Sequence, residues 1–206
     1  MILGPAFGGA SRAALGVLLM AFASGCAVRG HIASPDEMAQ LHKASGLSAA
    51  GKLTLFGPRG RFSARVVFGL TKPASLRIEI PAGTGLRFLL VAHDGKLRAE
   101  LPGDDAMFEG SATSGVMKDL FGIDLSPADL VASVLGAPPS TLNVSWRFDK
   151  SQPSLVTIRG SDHTELVVAL DDPSVEPPPA TAFAFGPPRG QSWSIEQMSD
   201  RLGLRR

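Results

Sequence analysis

From Gly51 to Leu101 apolar residues recur at every second position, and this alternation constrains the fold more than any other feature of the chain. Leu53 and Leu55 alternate with Lys52 and Thr54, and Phe62, Ala64, Val66, Phe68 and Leu70 with Ser63, Arg65 and Val67. Leu76, Ile78 and Ile80 follow against Arg77 and Glu79, then Leu86, Phe88 and Leu90 against Arg87, then Leu97, Ala99 and Leu101 against Arg98 and Glu100. A side-chain period of two puts each apolar set on one face of a strand, so five half-buried strands are expected. Their breaks are Gly57-Pro58-Arg59-Gly60, Lys72-Pro73, Pro81-Ala82-Gly83 and the hairpin signal Asp94-Gly95. Connections this short allow only antiparallel neighbours, hence a meander.

Flanking segments supply the helices. Ser34-Pro35-Asp36-Glu37 predicts a helix with a capping box, closed by Gly46. Ser114 to Phe121 reads as a short helix stopped by Gly122, and Ser126-Pro127-Ala128-Asp129 opens another that Gly136 stops. Leu130, Val131, Val134 and Leu135 form its apolar stripe. Strands resume with Leu142, Val144, Trp146 and Phe148, then at 155–159 and 166–170, before a proline-rich stretch ending near Pro179. The expected fold is α+β: a curved antiparallel sheet of about eight strands whose apolar face is covered by helices. Such a sheet and lid enclose an apolar space.

The front of the chain is of a different kind. Arg12 is the only charge among the first 28 residues, and the apolar run from Ala13 to Ala23 is shorter than the ~20 residues a spanning helix needs. Ala23-Ser24-Gly25-Cys26 places small residues ahead of the only cysteine, where a signal peptidase cuts. This resembles a bacterial lipobox, with Ala23 in place of the usual leucine. The expected organisation is a signal peptide over 1–25, a lipid on Cys26 with a tether over 26–33, a folded domain over 34–172 and a proline-rich segment over 173–206. An ordinary secretory signal beside a coincidental cysteine is the alternative. With one cysteine no internal disulfide can form, so the domain stands on its core alone. The tether reaches at most ~25 Å, which keeps the domain near its membrane.

An ordered set of short segments is similar to the LolA/LolB group of envelope proteins, and to its anchored LolB-like lipoproteins in particular. The set comprises Gly51-Lys52-Leu53, Lys72-Pro73-Ala74-Ser75-Leu76-Arg77-Ile78-Glu79, Pro81-Ala82-Gly83, Asp94-Gly95, Phe121-Gly122-Ile123-Asp124-Leu125-Ser126-Pro127, Val134-Leu135-Gly136 and Trp146. The resemblance implies a half-barrel with a helical lid whose cavity takes up acyl chains of lipoproteins or lipids. It also implies a soluble periplasmic carrier as partner and delivery at the outer membrane, the domain facing the periplasm. The cavity would be lined by Phe62, Val66, Phe68, Leu76, Ile78, Ile80, Leu86, Phe88, Leu90, Leu97, Trp146 and Phe148, and Pro81, Ala82 and Gly83 would form the membrane-contact loop. The family's loop usually carries a large apolar residue. Here the tip is Ala82, whose methyl offers far less than the ~1.5–3 kcal/mol of a buried leucine. A structural or sensory envelope lipoprotein that binds a protein partner is the competing reading.

Catalytic chemistry finds no support. His31, His42, His93 and His163 share no spacing, and a single cysteine leaves no zinc or iron–sulfur set. The 46–51 segment misses the nucleophile-elbow spacing, and Gly83-Thr84-Gly85 lacks the third glycine of a dinucleotide loop. Asp104-Asp105 follows Pro102-Gly103, where acidic turn residues are ordinary. Neither enzyme activity nor a cofactor nor nucleic-acid binding is expected.

Charge is unevenly distributed. From Ser48 to Leu101 nine Lys or Arg face three Asp or Glu, whereas from Pro102 onward eight basic residues face fourteen acidic ones. A basic half suits anionic lipid heads. The plainer interpretation, that these cations only solvate the outer face of a sheet, is favoured on sequence alone. The anchor is directly testable: Cys26→Ser should abolish acylation and move the protein from the membrane to the soluble fraction. Intact-mass measurement should find about two or three acyl chains on residue 26, since one alone holds only marginally.

Overall fold

A computed structural model describes residues 35–57, 60–83, 85–140, 144–148, 155–160 and 163–203. The signal peptide, Cys26, the tether and Ser34 lie outside the described residues. The described residues belong to one compact unit from His31 onward, with its own hydrophobic core between Leu41 and Leu202, as an independently folding domain has.

The alternating segments form the expected meander. Strands β1 (Gly46–Gly57), β2 (Gly60–Thr71), β3 (Ser75–Ala82), β4 (Gly85–His93), β5 (Lys96–Leu101) and β6 (Ala106–Ser111) each pair antiparallel with the next. The chain then leaves the sheet for helices α2 (Ser114–Phe121) and α3 (Pro127–Val134), the helix α1 (Pro35–Lys43) having preceded β1. It re-enters at the opposite side as β7 (Val144–Phe148), β8 (Leu155–Gly160) and β9 (Glu165–Ser174), and β9 pairs with the free edge of β1. With β10 (Gln191–Ser192) parallel to β6, the sheet has ten strands in the order β10-β6-β5-β4-β3-β2-β1-β9-β8-β7. It is curved and does not close on itself.

Two strands escaped the sequence pattern. β6 contributes neighbouring buried residues, Ala106 and Met107, rather than a clean alternation, and β10 is two residues long. The first strand also begins earlier than Gly51. Gly46 does not close α1, which ends at Lys43; it opens β1, where a side chain would meet the Leu70 carbonyl oxygen at 2.3 Å. Both internal helices match expectation. Ser126 caps α3 by accepting from the Asp129 N–H, and Gly122 ends α2 with a positive φ of 76°.

One face of the sheet is the core. Leu47, Phe68, Leu70, Leu76, Ile78, Phe88, Leu90 and Leu97 pack with Leu120, Leu125, Leu130, Val131 and Val134 of the helical layer in one cluster. Helix α4 (Ile195–Arg201) completes that layer through Met198, packed beside α2. Inside α3 the buried Asp129 carboxylate accepts from Ser126 Oγ and from the N–H and Oγ of Ser140, each at 2.7 Å. These bonds pin the chain that leads back to the sheet.

The proline-rich segment is a strap across the opposite, outer face. Pro177 and Pro178 lie over Gly46 and Gly69, which have no side chains to obstruct them. Ala182 O accepts from Arg77 Nη1 at 2.9 Å, Phe183 is buried and stacks on His93, and Gly186 O accepts from Arg98 Nη1 at 2.6 Å. Beyond Gly186 the chain rounds the β6 edge as β10 and enters the helical layer as α4. Arg98 is the central fastener. Only 6% exposed, it bonds Glu109 through Nε and Nη2 and lies 5.1 Å from the Phe185 ring centroid. Arg98→Ala should therefore lower stability by about 2–3 kcal/mol, readable in urea unfolding. It should also open residues 184–190 to limited proteolysis.

Candidate functional site

The residues expected to line a cavity fall into two groups by depth. Phe68, Leu76, Ile78, Phe88, Leu90 and Leu97 are at most 1% exposed, with Val66 and Ile80 close behind. Water-sized space does not reach them; they form a sealed floor. Phe88 meets the ring edge of Phe121 from α2, centroids 6.3 Å apart and planes at 87°. Phe62, Leu86 and Trp146 are only half-buried, as are Ala64 and Val144 beside them. Phe148 belongs to β7, but its side chain lies outside the described residues.

Register explains the division. The turns joining β1 to β2, β3 to β4 and β8 to β9 all stand at one end of the sheet, the hairpin end. Phe62, Leu86 and Val144 occupy the strand termini there. The other end carries the β2–β3 and β4–β5 turns and receives the last turn of α1, where Lys72 Nζ donates to His42 O at 3.1 Å. The apolar face is thus sealed in its middle and frayed into a half-exposed rim at the hairpin end. Trp146 bridges rim and helices, its Nε1 donating to Ser133 O of α3 at 3.2 Å.

Pro81, Ala82 and Gly83 form the exposed tip of the β3–β4 hairpin, at the same end as the rim. The register slips between Ile80 and Pro81, as a proline without an N–H requires. Gly83 takes a φ of 55° to make the turn, and Thr84 lies outside the described residues. Arg77 and Arg87, its neighbours in sequence, have different surroundings. Arg77 is committed to Glu79 at 2.6 Å and to the strap, while Arg87 is exposed.

Among the described residues no group of three or more His, Cys, Asp and Glu stands together as a metal site, and no helix is long and apolar enough to cross a membrane. His93 donates or accepts at Ser75 Oγ, 2.9 Å away, and supports the strap. The strap contacts are not legible in the sequence: Phe183 and Phe185 stand as apolar residues beyond the prolines, and nothing local indicates which face they cover. No protein-family model matches the chain, and no curated protein matches it.

Helix α4 is held at the hairpin end by a two-pronged contact, Arg201 Nε and Nη2 donating to the Asp104 carboxylate at 2.8 and 2.7 Å. Those hydrogen bonds hold the Asp104 carboxyl below its ordinary range; slight desolvation opposes them and the Arg201 charge adds to them. A depressed carboxyl contributes stability above its unfolded value and loses it as pH falls through the folded one. Hydrogen-exchange protection factors in α4, taken relative to the intrinsic rate at each pH, should therefore fall selectively as pH drops below about 4. Asp104→Asn should show the lowered protection already at neutral pH.

Proposed function

We propose that this chain is a membrane-anchored envelope lipoprotein of the LolB-like type. It binds acyl chains on the apolar face of its half-barrel sheet, beneath a helical lid, and helps receive or insert lipoproteins at the outer membrane. The observation that carries the reading is the one-sided fraying of the core. Half-exposed Phe62, Leu86 and Trp146 gather at the end that also presents the Pro81-Ala82-Gly83 hairpin. An acyl chain entering there meets apolar side chains first and helix packing next. Because the floor is buried under the helices, uptake requires α2 and α3 to move away from Phe88, and the bound chain replaces the contacts they give up.

The sealed floor is also what favours a second reading. A filled core at native packing density is what a scaffold lipoprotein needs to display a surface to a protein partner.

A brominated fatty acid separates the two. Added to residues 31–206 it should quench tryptophan fluorescence saturably, and Phe62→Asp or Leu86→Asp should weaken binding at least tenfold by placing an unpaired charge at the rim. Both sites are half-exposed, so circular dichroism should stay unchanged, unlike for Phe88→Asp in the sealed floor. A folded wild type whose fluorescence does not respond would favour the scaffold.

The hairpin tip gives a second measurement. Ala82→Leu should strengthen vesicle binding of residues 31–206 by about 1–2 kcal/mol, since the added side chain is only partly buried in the bilayer. That increment should survive high salt.

A further inference from the structure

The strap covers only part of the outer face. It crosses β1 and β2 at Gly46 and Gly69 and then lies over β3, β4 and β5, leaving the hairpin-end halves of β1 and β2, and β7 to β9, without a second layer among the described residues. Register determines which side chains stand on that uncovered area. Lys52 is paired with Arg65 and with Ala169, Phe56 with Arg61 and Glu165, Val67 with Ala50 and Glu79, Ala50 with Asp171, and Arg159 with Ser145 and Glu165. Directly paired residues share a face, so Lys52, Arg61, Arg65, Arg147 and Arg159 point the same way.

The balance of charge there is positive: five cations stand with two carboxylates, Glu165 and Asp171, among the described residues of β1, β2 and β7 to β9. Of the five cations, Arg159 is taken by Glu165, while Lys52, Arg61, Arg65 and Arg147 have no carboxylate partner among the described residues. Arg61 instead lies over the Phe56 ring, 5.2 Å from its centroid. Phe56 and Val67 are exposed at 37% and 44%, and with Val175 they are the exposed large hydrophobics among the described residues. Arg147 and Arg159 also flank an open groove of about 470 Å³ bounded by Ser145, Trp146, Leu155 and Thr157. The helical layer on the other side has the opposite character, with exposed or half-exposed Asp36, Asp119, Asp124, Glu196 and Asp200 against Lys43, Lys118 and Arg201.

From this polarity we infer that the uncovered outer face of β1, β2 and β7–β9 is a docking surface for an anionic phospholipid bilayer. Unpaired cations supply the attraction to acidic head groups, and Phe56 and Val67 sit at the head-group boundary. The cations of the basic first half are therefore not spread evenly as solvating groups. Those engaged by the strap, Arg77 and Arg98, are neutralised by Glu79, Glu100 and Glu109, and unpaired ones remain where the strap does not reach. The inference is independent of acyl-chain uptake, because it concerns the face opposite the core.

The test is co-sedimentation of residues 31–206 with vesicles of about one-third phosphatidylglycerol in phosphatidylcholine, and with phosphatidylcholine alone. Binding should require the anionic lipid and weaken as salt rises. Lys52→Gln with Arg65→Gln should reduce it about twenty-five-fold, roughly fivefold for each cation. Lys118→Gln on the helical layer should leave it unchanged. All three positions are exposed, and circular dichroism verifies the fold of each variant. Equal binding to neutral vesicles, no binding to either kind, or a loss as large from Lys118→Gln would overturn the proposal. So would a loss produced by Arg87→Gln at the β3–β4 hairpin but not by the Lys52/Arg65 pair, since contact would then be made by the tip and not the face.

Discussion

Burial of a single apolar sheet face beneath α2 and α3 is the constraint on which the rest of the domain depends. Ten strands present one continuous hydrophobic surface, and a twisted open sheet cannot cover its own. The helices enter between β6 and β7, so the same excursion that supplies the cover carries the chain from one side of the sheet to the other. Asp129 shows how closely the two roles are joined. Its carboxylate belongs to the covering helix and holds Ser140, on the way back to β7.

The C-terminal segment adds a second layer of a different physical kind. It has little regular structure, and it stays in place through separate fasteners spaced along its length: prolines over two glycines, Phe183 against His93, and two backbone carbonyls held by Arg77 and Arg98. Glycine at 46 and 69 allows the close approach, and proline lowers the entropy that an otherwise loose chain would lose on docking. The outer face is thereby divided. Under the strap, cations are matched by carboxylates and carbonyls. Beyond it, Lys52, Arg65 and Arg147 stand exposed beside Phe56 and Val67.

The two ends of the sheet differ as well, and that difference gives the domain a direction. At the α1 end, Leu41 and the contact between Lys72 and His42 close the layer. At the hairpin end, strands outrun their helical cover, and Phe62, Leu86 and Trp146 keep part of their surface in contact with water. The Asp104–Arg201 contact fastens α4 at this same end. Any opening of the core would begin there, where the fewest packing contacts have to be given up.

The sequence by itself determined β1 to β5 of the meander, the turns between them and the two internal helices. Each of these is a local decision: alternation of period two selects the face, and caps such as Ser126 and Gly122 end a helix within one turn. It also determined which residues would be apolar and inward, including the buried members of the expected cavity lining. Only the tertiary structure decided that Phe68 and Phe88 would be sealed while Phe62 and Leu86 would not. They lie on the same strands with the same alternation, and what separates them is the reach of helices far along the chain. It alone decided, too, that Arg77 and Arg98 would be neutralised and Lys52 and Arg65 left exposed. These four cations alternate with apolar neighbours in the same way, so local pattern cannot distinguish them; a strap about a hundred residues later does, by passing over one pair and missing the other.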